Sequence, residues 1–173
     1  MYKECKTSQS SERQRVFGET LLKMMKKQDF KEITVSALCK EMGVPRKAFY
    51  RYFDTKEDVL NALTDEILLG AVLHVESQIE LEKFFEYWRN QKAFLDILEK
   101  NGLSEKLMER TFSMWLDRAQ LDMTSGEAMK SSGYIAAMLT LVVMWHHNGM
   151  RQSVDEMKGL VLEMFAGNSK SSK

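Results

Sequence analysis

Apolar residues recur along the chain at helical spacing, and no alternating strand pattern of useful length is present. Val16, Phe17, Leu21, Met24 and Met25 fall on one face of a helix that runs to about Lys27. Ser11 with Gln14 three residues on predicts a capping box at its start. Asp29 ends it, and Phe30 and Ile33 read as buried anchors in a short connection. Thr34 is an expected N-cap for a short helix over 35–42, with Val35, Leu38, Cys39 and Met42 facing inward. Gly43 occupies the position after the helix where a left-handed residue permits a tight turn. Pro45 opens a second short helix, about 45–53, in the first turn where its missing N–H costs nothing. Thr55 and Asp58 form another capping box, and a long helix is predicted from Lys56 to about Gln78. Further helices are predicted near 79–100, 104–121, 127–148 and 154–166. Asn101-Gly102 punctuates the first pair, and Ser104 and Ser153 read as N-caps, the latter paired with Glu156.

Composition narrows the class. Of 173 residues, 44% are apolar and 29% charged, enough to bury a core in a globular chain. Basic and acidic residues number 25 each, which excludes a histone-like polycation and an acidic disordered tail. The balance hides an asymmetry. Residues 1–62 hold thirteen Lys/Arg against nine Asp/Glu, a net of +4, and residues 63–173 carry a net of −4. A basic first third fits a polyanion-binding module on a different kind of domain. Two cysteines cannot build a disulfide framework. The longest apolar run, Tyr134 to Trp145 with only Thr140 interrupting, has 12 residues, short of the roughly 18 a spanning helix needs. No leader pattern opens the chain, so a soluble, cytoplasmic protein is expected.

The strongest chemical signal is the pair of short helices joined at Gly43-Val44. A helix-turn-helix places its second helix in the major groove, which admits one α-helix. Arg46 and Lys47 sit at the end of that helix that reaches base edges, and an arginine can donate two bonds to guanine O6 and N7. Ala48 offers a methyl to thymine, and Tyr50, Arg51 and Tyr52 reach toward phosphates on either side. Lys56 and the N–H groups opening the following helix form a further anion site. Phe49 and Phe53, four residues apart, fix the helix to the core.

Ile33-Thr34-Val35, Leu38, Met42-Gly43-Val44, Phe49-Tyr50-Arg51-Tyr52-Phe53 and Lys56-Glu57-Asp58-Val59-Leu60 closely resemble the N-terminal domain of the TetR family of bacterial transcriptional regulators. The resemblance covers about residues 12–62. It implies an all-α homodimer: a three-helix DNA-binding domain over 12–62, followed by a ligand-binding and dimerisation domain over 63–168. Residues 1–11 are expected as a disordered tail and 169–173 as a frayed one. By position, the resemblance implies phosphate contacts from Thr34, Tyr50, Tyr52 and Lys56 and base contacts from Arg46, Lys47 and Ala48, with Ser36 at a position that sometimes reads a base. Pro45 stands where many members carry Ser, Lys47 where they carry Gly or Pro, and Asp29 replaces a common glycine, so the operator sequence does not transfer.

Gln91-Lys92-Ala93-Phe94-Leu95, Leu98, Lys100-Asn101-Gly102-Leu103 and Trp145-His146-His147-Asn148-Gly149-Met150 look like a C-terminal domain type found among short regulators of this kind. The resemblance implies that the last two helices pair with their mates in a dimer, through Trp145, His146, Met157, Leu160, Val161 and Met164. It also implies a small-molecule effector and operator release on effector binding. Thirteen methionines suit an adaptable apolar interior, and Phe84, Trp88, Phe94, Met108, Phe112, Trp115, Met138 and Met144 are the candidates to line a cavity. Each of them, taken singly, reads first as ordinary core.

Other chemistry lacks a constellation. His146 and His147 project about 100° apart on a helix and share no ion easily, and neither a His-x-x-x-His nor a Cys-x-x-Cys spacing is present. No metal and no cofactor are expected. Cys39 lies on an inner helical face, and Cys5 has only Lys3 and Lys6 nearby to activate it. With no nucleophile elbow, P-loop or dinucleotide fingerprint, an enzyme is not expected. The alternative function is a co-regulator that acts through protein partners.

Overall fold

A computed structural model describes residues 2–3, 7–72, 78–117 and 126–166; side chains at 72, 78–80, 115–117, 127–128 and 166 lie outside the description. Among the described residues the chain is all α: α1 (Ser8–Met25), a 3-10 turn (Phe30–Glu32), α2 (Val35–Glu41), α3 (Arg46–Phe49), α4 (Lys56–Val72), α5 (Gln78–Asn90), α6 (Lys92–Lys100), α7 (Lys106–Asp117), α8 (Gly126–His147) and α9 (Val154–Ala166). The chain divides into two compact units. Met1–Leu68 and Phe94–Leu116 form the first, and Leu69–Ala93 and Asp117–Lys173 the second.

The local rules that define the helix ends operate as chemistry. Thr34 Oγ1 accepts from the Ala37 N–H at 3.1 Å and starts α2. Gly43, at φ +66°, stops it: its own N–H donates to Lys40 O at 3.1 Å and the Val44 N–H to Cys39 O at 3.0 Å. That pair of bonds is the Schellman closure, and a side chain at Gly43 would be strained in the left-handed conformation. The α1 start differs from expectation. Thr7 and Ser10 form the capping box, so the helix begins three residues before Ser11.

The first unit is built around aromatic rings. Phe17, Leu21 and Met25 of α1, Leu38 of α2, and Phe49 and Phe53 are fully buried. Phe17 meets Phe49 and Phe53 edge-on, with centroids 5.5 and 5.6 Å apart. Burial of each ring is worth about 1.5–3 kcal/mol, and each edge-to-face pair about 0.5–1.5 more. Gly18 allows α1 to approach α4 closely, since a Cβ there would lie 3.2 Å from the Leu63 Cβ.

The predicted helix over 79–100 is two helices. Along α5 the buried residues are Leu81, Phe84, Phe85 and Trp88; along α6 they are Phe94, Leu95, Ile97 and Leu98. At 100° per residue the apolar stripe rotates by about 110° between the two sets, which one straight helix cannot bury on one side. The helix breaks at Gln91, whose N–H is shared by Tyr87 O and Trp88 O. α6 and α7 then join the first unit, which extends past residue 62. Lys100 Nζ caps Lys26 O at 2.9 Å, and Asn101 Oδ1 accepts from the Phe30 N–H at 2.7 Å. α7 begins at Lys106, two residues after Ser104.

In the second unit α5 packs on α9. Trp145 meets the Phe85 ring edge-on at 5.7 Å, and its indole N–H donates to Gln152 O at 3.1 Å. The Trp145-to-Met150 motif is a helix stop: Gly149 (φ +74°) and Met150 (φ +52°) are left-handed, and their N–H groups donate to His146 O and Trp145 O. Ser153 and Glu156 cap α9 reciprocally, at 2.6 and 3.2 Å. No helix among the described residues is long and apolar enough to cross a membrane.

Candidate nucleic-acid interface

The α2–turn–α3 element presents basic side chains to solvent on a rigid base. Arg46 and Lys47 open α3 and are exposed; Ala48 is half-buried, and Phe49 behind them is fully buried. Arg46 Nη2 donates to Tyr50 Oη at 2.9 Å, and the guanidinium lies 5.7 Å from the centroid of that ring. The contact holds Arg46 along the helix rather than free in solution. The side chains of Lys47 and Arg51 are exposed and make no hydrogen bond or ion pair among the described residues. Thr34 and Ser36 are exposed at the start of α2. Tyr50 is 41% exposed, whereas Tyr52 is half-buried with its ring tilted against Phe17.

Three placements depart from expectation. The regular α3 ends at Phe49, and 50–52 are turns, with the Tyr52 N–H on Phe49 O at 2.9 Å and the Phe53 N–H on the same oxygen at 3.1 Å. Lys56, expected at a phosphate, has its ammonium on the protein's own backbone: Phe30 O at 2.6 Å, Ile33 O at 2.8 Å and Lys31 O at 3.0 Å. Its Nζ also sits 4.6 Å from the Phe30 ring centroid. An ammonium has three donors, and all three are taken. The α4 N-terminus, expected as an open anion site, already holds a carboxylate. Asp58 Oδ2 accepts from the N–H groups of Asp54 (3.2 Å) and Thr55 (3.0 Å) and from Thr55 Oγ1. Burial pushes the Asp58 carboxyl up, but these bonds outweigh it and hold the group below its ordinary value.

Sequence reasoning missed Tyr2 and Lys3, placed in a tail. The Lys3 N–H donates to Tyr52 O at 3.0 Å, its ammonium to Tyr50 O at 2.5 Å, and Gln14 Nε2 donates to Lys3 O at 2.7 Å. Tyr2 Oη donates to Asp65 Oδ2 at 2.7 Å, and Arg110 binds the same carboxylate through two bonds of 2.8 and 2.6 Å. Apart from Gln14, 11 residues from Lys3, these partners lie 45 to 63 residues apart, and no spacing signals them.

The cavity candidates fall in both units. Phe84, Trp88 and Met138 are buried in the second unit, and Phe94 is buried in the first. Met108 is half-buried in the first unit. Phe112 is 68% exposed in the first unit and Met144 58% exposed in the second, so neither lines an enclosed cavity within its own unit. The Trp115 side chain lies outside the described residues, as do Cys5 and His74. Of the residues expected at a dimer interface, Trp145, His146, Met157 and Val161 are buried within the chain itself, and Leu160 and Met164 are exposed. Among the described residues no group of three or more His, Cys, Asp or Glu side chains could hold a metal ion.

Two helices joined through a left-handed glycine, with a basic, solvent-facing second helix on an aromatic base, define a helix-turn-helix DNA-binding protein. The family model for bacterial regulatory proteins of the tetR family matches residues 19–63, which span the end of α1 to the first half of α4. The chain therefore carries a DNA-binding domain similar to that of the tetR family, and this supports a DNA-binding transcriptional regulator. No match is found among curated proteins or among solved structures.

Proposed function

We propose that the protein is a homodimeric repressor that reads a palindromic operator with two copies of α3 and releases it when a small molecule binds the helices beyond the DNA-binding domain. The observation that carries the reading is the exposed Arg46-Lys47 pair at the start of α3. In this reading Arg46, Lys47 and Ala48 meet base edges, and Thr34, Ser36, Tyr50, Arg51 and Tyr52 set position on the backbone. Two reading helices in successive major grooves stand about 34 Å apart. Lys56 acts from behind, by holding the α1–α2 connection.

The pairing of two chains is supported by the face of α8 opposite its buried side. Met129, Gly133, Thr140 and Met144 are exposed there, and α9 adds Leu160, Met164 and Phe165. So much exposed apolar surface on two helices is the kind a partner covers. α4 belongs to the DNA-binding unit over most of its length, and its last turn belongs to the second unit. An effector that tilts α4 alters the spacing of the two reading helices, a coupling of about 1–3 kcal/mol.

The test is binding of purified protein to duplex DNA from just upstream of its own gene, against a random duplex, at several salt concentrations. Selective binding with a steep salt slope is expected. Equal binding to both duplexes argues against an operator at that locus, and no binding at low salt, with a protein partner captured instead, favours a co-regulator.

A further inference from the structure

α3 is one turn long, and a helix of that length has no stability of its own. Its orientation depends on tertiary ties. Phe49 and Phe53 hold its buried side. Its far end exposes the carbonyls of Tyr50 and Tyr52, acceptors that the turn itself leaves without helical partners. Both are met by one residue. Lys3 gives its backbone N–H to Tyr52 O and its ammonium to Tyr50 O, and a cation suits the negative end of a helical turn. The ammonium also stands 3.7 Å from Asp54. Gln14 of α1 holds the carbonyl of Lys3.

The adjacent Tyr2 is anchored elsewhere. Its hydroxyl meets Asp65 of α4, a carboxylate only 5% exposed and fixed by both arms of the Arg110 guanidinium from α7. A contiguous chain of bonds thus runs from α7 through α4 and two N-terminal residues to the turn that carries Tyr50 and Tyr52. We propose that Tyr2 and Lys3 are positioning residues for DNA reading: they tie the end of α3 to the Asp65–Arg110 pair, so the aim of the reading turn follows α4 and α7. The proposal rests on the DNA-binding function.

The experiment uses the full chain without an N-terminal tag, as wild type, Tyr2→Phe, Lys3→Ala and Lys3→Arg. Tyr2→Phe removes one hydroxyl that faces the protein. The DNA probes are a duplex enriched by the wild type from a randomised library and a scrambled duplex of the same composition. Tyr2→Phe and Lys3→Ala are expected to weaken the enriched duplex by about three- to tenfold and the scrambled one by less than about twofold. Hydrogen exchange of the 49–54 peptide, without DNA, is expected to rise about tenfold in both, and Lys3→Arg restores most of each effect. Unchanged exchange in Tyr2→Phe overturns the tie. Equal weakening of both duplexes by Lys3→Ala, with a shallower salt slope and no effect of Tyr2→Phe, assigns Lys3 to a phosphate instead. A wild type that enriches no duplex overturns the DNA-binding function and this proposal with it, while the exchange measurement still reports on the tie.

Discussion

Replacing Lys56 by Met keeps the aliphatic stem and deletes the ammonium. Two of its three carbonyl partners, Phe30 O and Ile33 O, are part-buried, and Lys31 O is exposed and rehydrates freely. A charge-assisted bond is worth about 1.5–3 kcal/mol, which partial solvent exposure reduces to about 1 for each of the two part-buried bonds. Loss of the cation–π contact with Phe30 adds about 0.5–1 kcal/mol. Release of an ordered lysine returns about 1–1.5 kcal/mol of side-chain entropy. The net cost is about 1–2 kcal/mol, or a fall in Tm of about 2–8 °C for a chain of this length. Thermal unfolding followed by circular dichroism measures it, and the salt dependence of DNA binding should keep its slope. The reasoning is refuted if Lys56→Met melts within about 1 °C of the wild type while the log–log salt slope falls by about 0.9, the loss of one phosphate contact.

Other predictions follow from the same geometry. Arg46→Ala should relax preference at one base pair by about 1–3 kcal/mol, read by competition among single-substitution duplexes, with random-sequence affinity falling far less. Asp58 has a folded-state pKa below its unfolded value, so its contribution is present above about pH 4 and is lost as pH falls through the depressed value. Asp58→Asn should therefore cost about 1 kcal/mol in urea unfolding at pH 7 and progressively less below pH 4. Leu160→Glu should shift the protein from dimer to monomer in sedimentation while leaving its helical circular dichroism intact. A monomeric wild type would remove the basis for that expectation.

The helix-turn-helix element was legible because it depends on local chemistry. Gly43 and Thr34 act within four residues of themselves and delimit α2, and α3 beyond the turn carries Arg46 and Lys47 outward with Phe49 turned inward. The Lys56 clamp was not legible. Its three acceptors are backbone carbonyls 23 to 26 residues away, and carbonyls leave no mark in a sequence. The same holds for Lys3 on Tyr50 O and Tyr52 O. A lysine on a backbone carbonyl and a lysine awaiting a phosphate look alike until the chain is folded.

The sequence by itself determined the helical class, the turn at Gly43 and the caps at Thr34, Thr55 and Ser153, because each arises from periodicity or from a side chain within hydrogen-bond reach of its own backbone. It also held the phase slip between Trp88 and Phe94, which breaks one predicted helix into two, although the slip becomes decisive only when both stripes need burial. Tertiary structure decided which unit α6 joins, where Lys56 spends its donors, and how Tyr2 and Lys3 come to tie the turn after α3 to α4. It likewise separated Met157 and Val161, buried in the chain, from Leu160 and Met164, left outside. These outcomes depend on which surfaces meet across long stretches of chain, and neighbouring residues along the sequence carry no physical record of that.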